Sequence, residues 1–252
     1  MQAFRLTAAA SLLLALALPF SAPVAAQAKE FTVGVETTEY YPIYAVRDQQ
    51  WTGFSREVLD AFAAKKGYKF NYQPLPVLRL FSEFVSKDNL DFKYPDNPLW
   101  RSDIKKDAKI SYSKPVFESV EGGMVLPANV GKGLDAVQVL GTIRGFTPWP
   151  YMDAIESKKV VMESSDDLKG LVQKAMVGRV QAIFINTDIA QYHMTHELKK
   201  PGALVLDKGL PGNDVQYLLS TRKHAAVIAE FDEFLASETA LIDSLKAKYK
   251  LK

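Results

Sequence analysis

The chain has no cysteine among its 252 residues. It can therefore build no disulfide framework, no thiolate zinc site and no thiol nucleophile, and no lipid can be attached through a cysteine near the N-terminus. Histidine is scarce, with three in all. His193 and His196 stand three apart beside Glu197, but no third ligand follows in a metal-site pattern, so they read as solvated helix positions and no metal or cofactor is expected. Neither sign of charge is in surplus: 31 basic residues stand against 29 acidic ones. That gives no reason to expect nucleic acid or an anionic membrane as a partner. The sequence also lacks a Gly-x-Ser-x-Gly elbow, a P-loop and a Gly-x-Gly-x-x-Gly fingerprint. Long apolar runs are missing too. The stretch from Ala8 to Pro19 is uncharged but too short to cross ~30 Å of hydrocarbon comfortably.

What surrounds that stretch is informative. Arg5 precedes it, and the small residues from Ser21 to Ala28 follow it. A positive start, an apolar middle and a small-residue cleavage region make a secretory signal peptide. Residues 1–28 are expected to be removed by cleavage near Ala26 or Ala28. The mature chain is then expected to be exported, unanchored, into a periplasm.

The mature part alternates strand and helix patterns. Phe31 to Val35 is an apolar strand, closed by a loop containing Pro42. Val58, Leu59, Phe62 and Ala63 recur at helical spacing, with Ser55 as the expected N-cap and Gly67 as the stop. Tyr68 to Tyr72 alternates like a strand. Pro76 can open a second helix with Leu80, Phe81, Phe84 and Val85 inward. Leu90 to Tyr94 is a third strand, closed by the turn cluster Pro95-Asp96-Asn97-Pro98. The β-α-β-α-β order predicts a parallel or mixed sheet with helices on its faces. The order then recurs: strands are expected over Val137 to Ile143, Val160 to Met162 and Ala182 to Ile185. Helices are expected after Thr147 and Thr187, and after Ser164-Asp167, which resembles a capping box. Phe117 to Met124 and Val215 to Leu219 read as two crossover strands between the halves. Two C-terminal helices follow, the first with Val227, Ile228, Phe231, Phe234 and Leu235 inward.

Several segments, in this order, resemble the family 3 solute-binding proteins, the periplasmic components of polar amino-acid ABC importers. They are Phe31-Thr32-Val33-Gly34-Val35, Tyr41-Pro42-Ile43-Tyr44, Trp51-Thr52-Gly53-Phe54-Ser55, Leu90-Asp91-Phe92, Ser111-Tyr112-Ser113-Lys114-Pro115-Val116 and Gly178-Arg179-Val180-Gln181-Ala182. The resemblance spans nearly all of the mature chain. It implies an α/β, two-lobed type II periplasmic binding protein fold, with two mixed sheets flanked by helices and joined by a two-strand hinge. Lobe one is then residues 29–120 and 215–252, and lobe two residues 121–214. The implied function is capture of a small polar or anionic solute, amino-acid-like or an aromatic acid, by hinge closure. The implied partners are that solute and an ABC permease in the inner membrane, and the expected state is a monomer.

The resemblance also nominates the ligand contacts and shows where this chain departs from the family. Tyr40 and Tyr41 stand where the family stacks aromatics on its ligand. Asp96 and Asn97 of the loop after the third strand are placed beside the ligand, and Arg101, shortly after them, stands near the carboxylate-forking arginine; a guanidinium suits a carboxylate because its planar donors match it bidentately. Arg144, Phe146 and Thr147 occupy the lobe-two turn that meets the carboxylate, but Pro148 and Pro150 remove N–H groups that would cradle an anion. Asn186 falls where the family places an acid for the ligand ammonium, and a neutral amide supplies no counter-charge. These departures argue against a simple α-amino acid and favour a larger, planar or anionic ligand. Glu36 and Glu39 are candidate cation partners if the ligand is basic, and otherwise solvated loop acids, which is the preferred reading. Trp51 is expected to pack on its loop. Two alternatives stand beside the importer: a dehydratase-type enzyme on the same fold, which needs a cleft carboxylate as general acid, and a sensor that presents its closed form to a membrane receptor.

Overall fold

The computed structural model describes residues 28–251. The export-signal reading of residues 1–28 therefore lies, apart from Ala28, outside the described residues. Among those described, no helix is long and apolar enough to cross a membrane.

The first half builds the expected alternation. β1 (Lys29–Glu36) leads through a hairpin, β2 (Ala45–Arg47) and β3 (Gln50–Thr52), to α1 (Phe54–Lys66). Then come β4 (Tyr68–Leu75), α2 (Val77–Phe81) with a π-helical turn to Ser86, and β5 (Phe92–Asp96). β1 lies between β4 and β5, parallel to both. α1 buries Val58, Leu59, Phe62 and Ala63 against this sheet, as its apolar stripe requires. Gly67 ends it at φ 67, its N–H turned back to the Ala63 and Ala64 carbonyls.

α3 (Ser102–Lys105) and β6 (Ser111–Tyr112) lead into β7 (Phe117–Val125). The second alternation is β8 (Val139–Ile143), α4 (Met152–Glu156), β9 (Val161–Ser165), α5 (Leu168–Met176) and β10 (Ala182–Asn186). It continues with α6 (Thr187–Tyr192), whose last turn is π-helical to Glu197, and β11 (Val205–Leu206). β12 (Gly212–Thr221), α7 (Ala225–Ser237) and α8 (Thr239–Tyr249) complete the chain.

The strands run β4-β1-β5-β12-β7-β10-β8-β9, with β6 on β12 and β11 on β7. The two mixed sheets expected from the sequence are thus joined edge to edge through β12. Its residues Gly212 to Tyr217 pair antiparallel with β7, while Leu218 and Ser220 pair with β5 across a register shift. β7 and β12, the two crossovers of the sequence, lie side by side at the middle of this curled sheet. Beneath the first half the core is aromatic: Phe62 packs edge-on against Phe231 with centroids 4.9 Å apart, and Phe31 against Phe92 at 5.3 Å. Such pairs add to plain burial.

Three expected caps are made differently. Ser55 lies inside α1, its Oγ 2.7 Å from the Tyr94 hydroxyl. The helix start is satisfied by backbone instead: the Phe54 and Ser55 amides donate to the Pro42 and Ile43 carbonyls, both at 3.0 Å. Asp167 caps α5 by accepting from the Gly170 amide at 2.6 Å, while Ser164 stays in β9. Asn186, not Thr187, caps α6. The segment after Thr147 makes a 3₁₀ turn at Trp149–Tyr151 before α4 begins.

The backbone cap of α1 needs Gly53. Its φ is +114, and a Cβ there would lie 2.7 Å from the Ile43 carbonyl oxygen. Gly53→Ala combines left-handed strain with a backbone clash, so it is expected to destabilise the chain by roughly 2 kcal/mol. A lowered urea midpoint at unchanged m-value checks this.

Candidate functional site

The cavity lies where the two halves of the sheet meet. Glu36 ends β1, Tyr40 and Tyr44 follow in the loop, and Phe81 and Trp100 close one side. Phe146 and Thr147, after β8, face them from the other half, with Ile185 of β10 beside them. Glu121 of β7 and Tyr217 of β12 form the floor on the two shared strands. With the side chains as they stand, the free space among them is about 20 Å³, room for about one water, and it opens partly to solvent; a larger guest needs the two halves to part. The halves touch around it. The Tyr40 and Phe146 rings lie 5.5 Å apart, and the Arg101 amide donates to Thr147 Oγ1 at 3.3 Å. Gly145 approaches α2 so closely that a Cβ there would lie 3.0 Å from the Val77 Cβ.

Among the described residues, the charge-bearing side chains in the cavity wall are both acids, Glu36 and Glu121. Glu36 is 2% exposed and Glu121 is 4% exposed. Tyr44 donates its hydroxyl to Glu36 Oε2 at 2.8 Å. Burial pushes Glu36 up to about 7, against the opposing pull of Lys93 and of the Tyr44 hydrogen bond. Burial, reinforced by the charge of Glu36, pushes Glu121 up to about 8. Burial also holds Tyr40, Tyr44 and Tyr217 well above the ordinary tyrosine range. The Tyr40 hydroxyl is buried without a hydrogen-bond partner among the described residues; the Asn186 backbone comes near it without bonding geometry. No Lys, Arg or His among the described residues lines the cavity.

A charged cluster lies behind the wall. Asp96 is completely buried and accepts from Lys105 Nζ at 2.6 Å, Lys93 Nζ at 3.3 Å, Ser220 Oγ at 2.7 Å and the Asn97 amide at 2.9 Å. Lys93, also buried, stands 4.1 Å from the centre of the Phe81 ring, a cavity-wall residue. Burial lowers Lys105 to about 8, with Asp96 opposing the shift.

Of the nine residues that the sequence nominated, the structure brings Tyr40, Phe146 and Thr147 to the cavity wall. The others are placed elsewhere. Arg101 forks onto Asp103 instead, its Nε and terminal nitrogen each 2.9 Å from a carboxylate oxygen. Arg144 is exposed and held by Asp166 at 2.6 Å. Both guanidinium groups are drawn outward by acids of their own neighbourhood, where hydration is kept. Asn97 bonds the Gln216 carbonyl and the Leu99 amide. Asp96 serves the lysine cluster. Tyr41 turns outward, under the Arg47 guanidinium at 4.0 Å and beside Tyr192. Asn186 sits one layer behind the floor, accepting from the Ile189 amide at 3.1 Å and donating to the Tyr217 hydroxyl at 3.0 Å. Asn186→Ala removes both bonds and is expected to cost roughly 2 kcal/mol of stability, read as a lowered melting temperature.

Other sequence readings need correction. Glu36 is no solvated loop acid: it is the buried last residue of β1, while Glu39 is surface-exposed and paired with Arg47 at 2.8 Å. His193 is buried rather than solvated, because α6 turns that face toward the sheet, while His196 is exposed. Trp51, by contrast, packs on its loop as expected, stacked on Tyr44 at 6.2 Å, and it also stacks on Tyr72 at 5.2 Å. Sequence reasoning missed Glu121, Lys93 and Lys105 altogether. The available signal was a charged residue inside each of two central strand patterns. A strand covered on both faces buries its alternate positions as well, so Lys93 between Phe92 and Tyr94 has nowhere exposed to point.

No family model and no curated protein sequence matches the chain. Solved structures do match, at low identity. A histidine kinase sensor domain with similarity to periplasmic binding proteins aligns at TM-score 0.71 and 16% identity, covering 88% of this chain and 96% of its own. The arginine-, lysine-, histidine-binding protein ArtJ of Geobacillus stearothermophilus aligns at 0.68 and 16%, covering 88% and 95%. The ancestral amino acid-binding protein AncCDT-1, a precursor of cyclohexadienyl dehydratase, aligns at 0.64 and 17%, covering 87% and 95%. The chain has the mixed α/β fold of the periplasmic binding proteins, and the resemblance read from its motifs holds at the level of fold. Fold alone does not assign function.

Proposed function

We propose that the chain is the capture component of a periplasmic ABC importer. On this reading, residues 29–120 and 215–252 form one lobe and 121–214 the other, and they close on a small polar solute. The observation that carries the reading is the cavity itself, enclosed by residues from both halves of the sheet and floored by the two strands that join them. A solute touching both halves favours the closed form over the open one, and the closed surface is what a permease would read. The binding proteins among the structural neighbours support solute capture as the class of function.

The test is a thermal-shift screen of the mature chain against cationic, zwitterionic, anionic and neutral small solutes. A ligand bound only by the folded state raises the melting temperature, by about 2.7 kcal/mol of stabilisation at a hundredfold excess over Kd. A one-to-one binder in that screen, with loss of its uptake when the gene is deleted, fits the importer. A binder whose uptake persists fits the sensor reading, which the histidine kinase neighbour favours. Silence across every class would end the capture reading.

A catalytic reading rests on one observation: Glu36 and Glu121 are buried cavity carboxyls whose proton affinity is raised toward neutrality, which is what a general acid requires. Against it, no basic group among the described residues lines the wall to hold an acidic cyclohexadienyl substrate. Turnover of such a substrate, lost in Glu121→Gln, would establish it.

A further inference from the structure

The buried charges around the cavity do not cancel among themselves. Lys93 and Lys105 both approach one carboxylate, Asp96, at 3.3 and 2.6 Å, which leaves one positive charge in excess. Glu36 lies close enough to Lys93 to be acted on by it, and the Tyr44 hydroxyl already donates to its carboxylate. Above about pH 7, where Glu36 is mostly ionised, it makes the cluster neutral. Glu121 is then the acid left over. It is 4% exposed and faces the cavity, and among the described residues no donor and no cation reaches its carboxyl group. Beside it the Tyr40 hydroxyl, 1% exposed, is also unpartnered. Buried polar groups without partners are uncommon in folded proteins and call for a bound species that completes them. The wall also carries the rings of Tyr44, Phe81, Trp100, Phe146, Phe184 and Tyr217, and aromatic faces attract cations.

We propose that the cavity takes a small monocationic amine that bears no carboxylate, its ammonium seated between Glu121 and the Tyr40 hydroxyl and its body against the aromatic wall. This deepens the capture reading and rests on it. An ammonium supplies the donors that Glu121 and Tyr40 lack. An acid finds no basic side chain among the described residues of the wall. An α-amino acid would bring a carboxylate that the cavity cannot pair, and an unpaired buried charge is heavily penalised. Arg101 and Arg144, which would have paired it, are engaged with Asp103 and Asp166. In the empty cavity Glu121 holds its proton at neutral pH, because burial and Glu36 disfavour its charge. Amine binding then releases up to one proton. The groups bearing on Glu121 are Glu36 of β1, Tyr40 of the loop and Tyr217 of β12, with Tyr44 of the loop and Lys93 and Asp96 of β5 acting through Glu36. Affinity should rise about tenfold per pH unit below the Glu121 midpoint and level off above about 8.

The experiment is titration calorimetry on the mature chain with three matched arms, each an aromatic and an aliphatic member: phenethylamine and butylamine, phenylalanine and norvaline, phenylacetate and butyrate. Each is run at pH 6, 7 and 8 in two buffers of different ionisation heat. The expected result is binding by the amine arm, at least tenfold tighter than by either other arm, with proton release and tightening from pH 6 to 8. Glu121→Gln should abolish the amine preference and the proton release while its melting temperature at pH 8 stays at or above that of the parent chain. Tighter binding in the amino-acid or acid arm, or amine binding indifferent to pH and to Glu121→Gln, overturns the proposal and leaves solute capture standing. No binding in any arm overturns the proposal, and silence across the broader solute screen as well removes capture itself.

Discussion

Replacing Asp96 with alanine is expected to destabilise the folded chain by about 3–5 kcal/mol, the cost of leaving a buried ion group broken. Asp96 is the only carboxylate within salt-bridge distance of the Lys93 and Lys105 ammonium groups among the described residues, and it also accepts from Ser220 Oγ and the Asn97 amide. Without it, two buried positive charges face each other. Lys93 cannot escape to solvent, since it is fully enclosed in β5 between Phe81 and the β12 ladder. For a chain of this size the change should appear as a fall in melting temperature of roughly 10 °C. Asp96→Asn keeps the shape and some hydrogen bonds but not the charge, so it should lose nearly as much. Replacing Lys93, Asp96 and Lys105 together with apolar residues of similar volume should recover much of the loss, because exchanging a whole buried ion group is far less damaging than breaking one.

The empty protein is expected to be least stable near pH 8 and to gain several kcal/mol on acidification toward pH 5. The sign follows from linkage. Glu36 rises from an ordinary 4.5 to about 7 in the folded chain, and Glu121 from 4.5 to about 8. Between those values the folded state binds more protons than the unfolded one. The stability they contribute is complete below pH 4.5 and is lost as pH climbs through 7 and 8. A tenfold change in proton affinity corresponds to about 1.4 kcal/mol, so the two acids together amount to several kcal/mol even after allowance for their coupling. Lys105 acts in the opposite direction at higher pH. Its value falls from 10.5 to about 8, so the unfolded chain binds the extra proton and stability recovers from pH 8 toward 10.5. Urea midpoints from pH 5 to 10 should trace this dip. The double variant Glu36→Gln, Glu121→Gln should flatten its acid side and leave the alkaline recovery in place. A profile that instead rose steadily from pH 5 to 8 would contradict the buried-acid description.

Much of the fold was legible because its signals are local. The stripe Val58-Leu59-Phe62-Ala63, the stop at Gly67, the apolar run Ala182 to Ile185 and the inner face of α7 all follow from period and propensity. The site was legible only where it sits in a loop, as at Tyr40, Phe146 and Thr147. Its acids were not. Glu36 lies at a strand end, and sequence does not say whether a strand end meets solvent or a second layer of protein. Glu121 lies in a β-run whose burial depends on two other strands, β10 and β12, that pair with it from distant parts of the chain. Arg101 and Arg144 misled for the converse reason. A guanidinium near a cleft suits an anion, but Asp103, two residues on, and Asp166, across the adjoining strand, reach them first.

The seam between Val77 and Gly145 offers the most direct measurement. A Cβ at Gly145 would stand 3.0 Å from the Val77 Cβ, about half an ångström inside the 3.5–4.5 Å span of a disulfide, so the seam must part by that much and Gly145, at φ 91, takes the new side chain under strain; the chain has no native cysteine to interfere. The pair Val77→Cys, Gly145→Cys can be oxidised before or after loading with a solute that raises the melting temperature, with gel mobility reporting the crosslink. If the solute enters by parting of the two halves, chain oxidised empty takes up none, chain oxidised loaded releases none, and reduction restores exchange in both. Equal uptake by the oxidised and reduced chains would mean that the solute does not reside in the enclosed cavity.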